Sequence, residues 1–258
     1  MTVMPVHNAS AQISQNGAAP TTQRTCSTCA IRHRAVCGAL ADAEIGDLGR
    51  LGRFRDFAPG EVIFADDAAT TFFANVVSGV VKLEKGSADG RQQIVGLLFS
   101  PDFLGRAYAK RNPYFAIAAT NVRLCTFPHS GFENLLRTHP GLEHRLFENT
   151  LSELDSAREW MFLLGRKSAA EKVASFLYMI AKRQPQVGCG HTDEAAHIDL
   201  PLTRSDIADF LGLTIETVSR QITRLKSDGV IRLLSGREIV VPDIEALAAR
   251  AGHDGDSA

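Results

Sequence analysis

Residues 200–233 read "LPLTRSDIADFLGLTIETVSRQITRLKSDGVIRL" and carry two helices with their punctuation. Thr203 suits a helix N-cap, and Asp206, three residues on, can return the bond to it. Ile207, Ala208 and Leu211 fall on one side of that helix. Gly212 permits the sharp turn that follows, and Ala208 is small enough for a second helix to cross closely. Thr214 caps the second helix. Val218, Ile222 and Leu225 recur at helical spacing and point inward, whereas Glu216, Ser219 and Arg220, at i, i+3 and i+4, share the outward face near its start. This is the pattern of a helix-turn-helix, whose second helix presents its first turns to the major groove of DNA.

The outward side chains suit base edges. Arg220 can donate a forked pair to guanine O6 and N7, Glu216 can accept from cytosine N4, and Ser219 can meet a thymine or a phosphate. Thr214 and Thr217 belong to the same first turn and join the candidate DNA-binding set. Arg224 and Lys226, further along, are placed to reach the sugar–phosphate backbone. "GVIRLLSGREIVV", residues 229–241, then reads as a β-hairpin wing. An ordinary helical hairpin with a solvated charged face would not need caps, glycine, inward triad and outward triad to agree.

Working back toward the N-terminus, a helix is predicted over 169–183, with Val173, Phe176, Leu177 and Ile180 on one face. "QPQVGCGHTDEAAH", residues 184–197, reads as a loop, and its Cys189 as an exposed thiol without a role. Residues 140–165 contain no internal break, and Phe147, Leu151, Leu154, Met161 and Leu164 fall along one side. Such a helix is about 35 Å long at roughly 1.5 Å per residue. It either packs on its own domain or forms a coiled-coil-like dimer seam; the narrow stripe favours the seam, with Phe147, Leu151, Leu154 and Met161 at the interface. From about 54 to 128 the pattern changes to β. "EVIFADD", "FFANVVSGVVKLEKG", "RQQIVGLLF" and "FAIAATNVRLCTF" are short Val-, Ile- and Phe-rich runs, with a tight-turn signal at Asp89-Gly90. Short strands at this spacing indicate a small antiparallel barrel or jelly roll.

The expected architecture is therefore α+β. A tail over 1–24, rich in Ala, Ser, Gln, Asn and Thr, is read as disordered. A cysteine segment and antiparallel β-roll follow over 25–139, a dimerisation helix over 140–165, a winged helix-turn-helix over 166–250, and a disordered tail over 251–258. Two domains fit comfortably in 258 residues. No apolar run reaches 18 residues, so no membrane span is expected. The N-terminus lacks a basic start followed by an apolar stretch, so a cytoplasmic protein is expected. The net charge of −1 gives no overall sign of nucleic-acid binding, so a DNA binder with this balance must gather its basic residues on one surface. No nucleophile–base arrangement or phosphate loop points to an enzyme.

"TCSTCAIRHRAVC", residues 25–37, holds three of the chain's five cysteines, Cys26, Cys29 and Cys37, spaced C-x2-C-x7-C. In a reducing compartment clustered thiols point to metal or redox chemistry rather than to disulfides. Three soft ligands leave a metal site incomplete unless a fourth lies elsewhere.

A β-roll, a long helix and a winged helix-turn-helix, in that order, resemble the CRP/FNR family of bacterial transcription regulators over about residues 26–250. "FAPGEVIF", "SGVVKL" and "ADGRQQIVGLLFSPDFLG" look like that family's effector-domain strands and turns, which are cyclic-nucleotide-binding-like. "ETVSR", Glu216 to Arg220, looks like the recognition-helix signature of the FNR branch. The resemblance implies two-fold symmetric sites with TTGAT half-sites in double-stranded DNA, a homodimer, and RNA polymerase as a partner. Cyclic-AMP binders of the family carry a Gly-Glu-Leu-type turn and an Arg-Ser or Arg-Thr pair. Here Gly105 is followed by Arg106 and Ala107, and "PYFAIAAT" offers no such pair, which disfavours nucleotide binding; Arg106 and Arg111 keep that alternative open.

The FNR branch has an N-terminal cysteine cluster plus one cysteine in the effector domain, which together hold an oxygen-labile [4Fe-4S] cluster. The resemblance therefore implies Cys26, Cys29, Cys37 and Cys125 as its ligands, with Cys125 at the end of a strand. The best-known spacing leaves five residues between the second and third cysteines, against seven here. Three alternatives stand beside this reading. A structural Zn²⁺ would accept the same four thiolates, with His33 able to replace one. A cluster-free thiol regulator of the same family would bind the same DNA. Cys125 could be a buried strand cysteine acting as a small hydrophobe.

Overall fold

The computed structural model describes residues 26–183 and 195–252. The segments 1–25, 184–194 and 253–258, including most of the expected tails and Cys189, lie outside the described residues.

Two four-stranded antiparallel sheets form the roll. One has the order β1 (Arg53–Phe57), β8 (Val122–Pro128), β3 (Phe72–Ser78), β6 (Phe103–Leu104); the other has the order β2 (Val62–Phe64), β7 (Phe115–Ala118), β4 (Val81–Gly86), β5 (Gln92–Leu98). Their facing sides bury Ala74, Val76, Val81, Leu104 and Leu124. Phe73 and Asn75 point the other way from β3, yet they are buried as well. That second face is covered by α1 (Ile45–Leu51), α2 (His129–Thr138) and the cysteine segment, which share a separate core built on Phe73, Phe103, Phe127 and Phe132. β3 is thus buried on both faces, which is why it reads as a continuous apolar run. The hairpin between β4 and β5 turns at Gly90, with φ +85°.

Helix α3 runs Pro140–Arg166. Pro140 sits in its first turn, where a missing N–H costs nothing. Only Leu142 and Leu163 of α3 are buried, and residues 150–159 are exposed on every side. Leu164 packs against the C-terminal core rather than joining the exposed stripe.

Helix α4 (Ala169–Arg183) buries Val173, Phe176, Leu177 and Ile180 completely. Helices α5 (Arg204–Leu211) and α6 (Ile215–Ser227) follow, then the wing β10 (Arg232–Leu233) and β11 (Glu238–Val241). The wing has a third strand, β9 (Ala196–Asp199), paired to β11, so the loop expected to run through His197 ends by Ala195. Helix α7 (Ile244–Arg250), capped by Asp243, closes the domain. Ala251, expected to begin a disordered tail, is buried, and its carbonyl accepts from Lys167 Nζ at 2.6 Å and Ser175 Oγ at 3.3 Å. Among the described residues no helix is long and apolar enough to cross a membrane.

Candidate metal centre and DNA-reading helix

The cysteine segment is wound in short 3-10 turns. Cys26–Thr28 form the first, with the Cys29 N–H donating to the Cys26 carbonyl, and Val36–Ala39 form the second, which carries Cys37. Ile31, Ala35, Val36 and Leu40 anchor the segment in the core. Gly38 is required where the segment folds back on itself: a Cβ there would lie 2.9 Å from the Arg32 carbonyl oxygen and 3.0 Å from that of His33. Arg32 pairs with Asp42 across the loop.

Helix α1 then passes over the thiols. A Cβ at Gly49 would come within 3.3 Å of Cys26 Sγ, and one at Gly52 within 3.5 Å of Cys125 Sγ. Cys125 lies in the middle of β8, not at its end, opposite Phe54 of β1 and Asn75 of β3. Alternation along the strand turns Leu124 into the roll and Cys125 toward the cysteine segment. Asn75 is buried beneath: its Nδ2 lies 4.0 Å from Cys37 Sγ, and its Oδ1 has no hydrogen-bond partner among the described residues.

Burial and mutual proximity govern these thiols. Burial pushes Cys125 up to about 12, assisted by Cys26, Cys37 and Cys29. Burial pushes Cys37 up to about 11, assisted by Cys29 and Cys26. Cys26 is raised by burial and by Cys29, while Arg32 opposes the shift. Four sulfurs thus lie in one another's field. The raised thiols of Cys26, Cys37 and Cys125 favour the protonated form, so a metal that binds there must displace those protons.

The donor set is four thiols with one amide beside them. Among the described residues no three His, Cys, Asp or Glu close on a single metal ion. A tetrahedral Zn²⁺ needs its sulfurs drawn to about 2.3 Å from one point. A cubane spreads the same four thiolates over a larger body, and a nearby amide N–H on sulfur is one way a protein tunes it. Four thiols are the donor set that a [4Fe-4S] cluster takes, and also the one that a structural Zn²⁺ takes. His33 is exposed.

In the C-terminal domain, Thr203 and Asp206 form the reciprocal cap. The Asp206 N–H donates to Thr203 Oγ1 at 3.1 Å, and the Thr203 N–H to Asp206 Oδ2 at 3.0 Å. Gly212 adopts φ +61°, the left-handed conformation that ends α5. Thr214 Oγ1 accepts from the Thr217 N–H, and Val218, Ile222 and Leu225 are buried. Glu216, Ser219, Arg220, Arg224 and Lys226 are exposed together. Thr217 is half-buried, its hydroxyl within 3.4 Å of Arg220 Nη2, a place from which it steadies the arginine. Glu216 stays ionised through its own backbone N–H and Thr214. Two residues were not anticipated. Arg204, at the first position of α5, buries Nη1 without a hydrogen-bond partner among the described residues, and Ile215, at the first position of α6, is exposed.

A profile described as "Crp-like helix-turn-helix domain" matches residues 171–250, and one described as "Cyclic nucleotide-binding domain" matches residues 54–139. A "Probable transcriptional activator" of Rhizobium leguminosarum bv. viciae is 47% identical over 223 residues, covering 86% of this chain and 91% of its own length. This chain belongs to the CRP/FNR family of transcription regulators. "Transcriptional activator protein FnrL" of Cereibacter sphaeroides is 43% identical over 237 residues, covering 92% of this regulator and 96% of its own length. The solved structure of FixK2 from Bradyrhizobium japonicum matches it with a TM-score of 0.71 at 29% identity, covering 80% of this chain and 99% of that one. The regulator is a DNA-binding protein, not an enzyme. Arg111, one of two arginines that kept nucleotide binding open, pairs with Asp67 at 2.9 Å on the surface of the roll, and Arg106 is exposed.

Proposed function

We propose that this regulator responds to oxygen through a [4Fe-4S] cluster held by Cys26, Cys29, Cys37 and Cys125, and that as a homodimer it activates transcription from palindromic TTGAT-type sites with RNA polymerase. One observation carries the reading: Cys125, about a hundred residues downstream, lies within electrostatic reach of the three N-terminal thiols, and Gly49 of α1 and Gly52 just after it leave room beside Cys26 and Cys125 Sγ. When bound, a cluster of this kind supplies the reactivity toward oxygen. Cys37 sits in the turn Val36–Ala39, which packs on the first turn of α3; a Cβ at Gly141 would lie 3.5 Å from the Ala39 carbonyl oxygen. With all four sulfurs gathered, that turn is held against α3. With the sulfurs released, α3 loses a neighbour at its N-terminal end.

Phe147, Leu151, Leu154 and Met161 remain exposed, and Phe162 extends the stripe. Residues 150–159 are exposed among the described residues, and a second copy of the helix would bury the apolar stripe. Two copies then present two α6 helices about one turn of DNA apart, ~34 Å. The protein belongs in the cytoplasm, where the DNA is. The test is protein made and kept without oxygen. A broad charge-transfer absorption with about four iron and four sulfide per chain is expected. A colourless anaerobic protein holding one zinc would overturn the reading.

A further inference from the structure

We propose that Lys82 of β4 is a positioning residue for DNA reading: its ammonium ties Asp206, and with it the helix-turn-helix, to the β-roll in one orientation. The inference rests on α6 being the DNA-reading helix. Lys82 Nζ donates to Asp206 Oδ1 at 2.6 Å and lies 2.6 Å from Glu84 Oε1. The three side chains are only 16%, 19% and 12% exposed. Asp206 is also the third residue of α5 and completes its capping box with Thr203. Its other oxygen accepts from the Thr203 N–H at 3.0 Å and the Thr203 hydroxyl at 2.6 Å. One carboxylate therefore sets where α5 begins and where α5 meets the sensor domain.

The far end of α5 is held too. Gln93 Nε2 of β5 donates to the Phe210 carbonyl at 3.2 Å, and Trp160 of α3 stacks on the Phe210 ring with centroids 4.1 Å apart. The step to α6 is stiff: the Leu213 N–H donates to the Ala208 carbonyl at 3.0 Å, and Ala208, Leu211, Val218 and Ile222 are buried between the helices. Fixing α5 thus fixes α6. In this docked arrangement Glu216, Ser219 and Arg220 stay exposed, so docking does not compete with DNA. It orders the reading helix in advance, which lowers the cost of engaging two half-sites at once. Without Lys82, the carboxylates of Glu84 and Asp206 face each other near Asp209, whose own carboxyl is already raised by burial and by both of them. Repulsion then undocks the module.

The experiment uses the full chain, prepared without oxygen, as wild type, Lys82→Met, Lys82→Arg and the double variant Lys82→Met/Glu84→Gln. Each is titrated onto a duplex with two TTGAT half-sites and onto one with a single half-site. Acrylamide quenching of Trp160, the only tryptophan, reports whether α5 is docked. Lys82→Met is expected to lose about tenfold on the palindrome and under ~twofold on the half-site, because only the docked fraction binds both halves. Its Trp160 should quench more readily. Lys82→Arg should match wild type, and Glu84→Gln should recover part of the loss. Wild-type behaviour of Lys82→Met on both duplexes with Trp160 still shielded overturns the proposal, as does equal loss on both. If Lys82→Met does not fold, the double variant decides: intermediate affinity and quenching support the latch, and wild-type values overturn it. A wild type that ignores the palindrome, with Trp160 still exposed by Lys82→Met, would remove the assigned DNA site and leave the latch standing.

Discussion

Arg220 carries its guanidinium outward from the second turn of α6, with Thr217 beside it, and the fork matches the two acceptors of guanine. Arg220→Ala should therefore cost ~1–3 kcal/mol on a TTGAT site and relax the preference at the guanine. Lys226, in the last turn of the helix and exposed, offers only a point charge. Lys226→Ala should weaken all sequences alike and lower the salt slope by roughly one. Binding of both variants to a set of half-site duplexes at two salt concentrations separates the roles. Uniform loss in Arg220→Ala with the guanine preference intact would make it a phosphate clamp and turn attention to Glu216. At the thiol pocket, Ser at any of positions 26, 29, 37 or 125 should abolish the anaerobic absorption band, and Cys189→Ser should leave it. A band that survives Cys125→Ser would return that residue to a packing role. Cysteines, caps and the outward triad were legible because their chemistry is local: a thiol or a guanidinium declares itself by type and spacing. Asn75 and Arg204 were not. An asparagine inside an apolar strand run, or an arginine after a cap, gains meaning only from what the fold places against it.

Helix α3 shows how far periodicity goes. Its stripe was legible from spacing at three and four, and Phe147, Leu151, Leu154 and Met161 are all more than two-fifths exposed in the single chain. Leu154→Glu would place two carboxylates opposite each other in an apolar contact. Sedimentation of the anaerobic variant should show monomer with the absorption band unchanged; a dimer would place the interface elsewhere. The short elements were less legible for definite reasons. Strand β1, "RFRDF", is an edge strand with charged residues facing water, and β6 is two residues long. Helix α1, "IGDLGRL", contains two glycines that argue against a helix, yet Gly49 is there to clear Cys26. Between β3 and β4 a glycine is obligatory: Gly79 has φ +83°, and a Cβ there would stand 2.1 Å from the Asn121 carbonyl oxygen. Gly79→Ala should lower stability by about 1–3 kcal/mol, read as a shift in urea midpoint with unchanged slope. An unshifted midpoint would mean the turn can move without cost.

At the scale of the whole molecule, the cysteine segment, α3 and the helix-turn-helix form one line of contacts. The turn bearing Cys37 touches the start of α3, and Trp160 near its end touches α5. The middle of α3, residues 150–159, is exposed, with Glu153 near Asp102 and Arg183. On the proposed reading assembly is the step through which the thiols reach DNA, because a single α6 has few contacts and two coupled ones gain effective concentration. This predicts a convergence between treatments that act at opposite ends of the line. Wild-type protein exposed to air and anaerobic Leu154→Glu should both fall to the affinity of one half-site, and adding a second half-site to the duplex should help neither. Anaerobic wild type should gain on the second half-site, and the gain should vanish on dilution below the concentration at which sedimentation shows the dimer dissociating. If air abolishes palindrome binding while the protein stays dimeric, the thiol pocket acts by a route other than assembly. The contact of Trp160 with Phe210 would then be the next place to look, since it joins α3 to the reading module inside one chain.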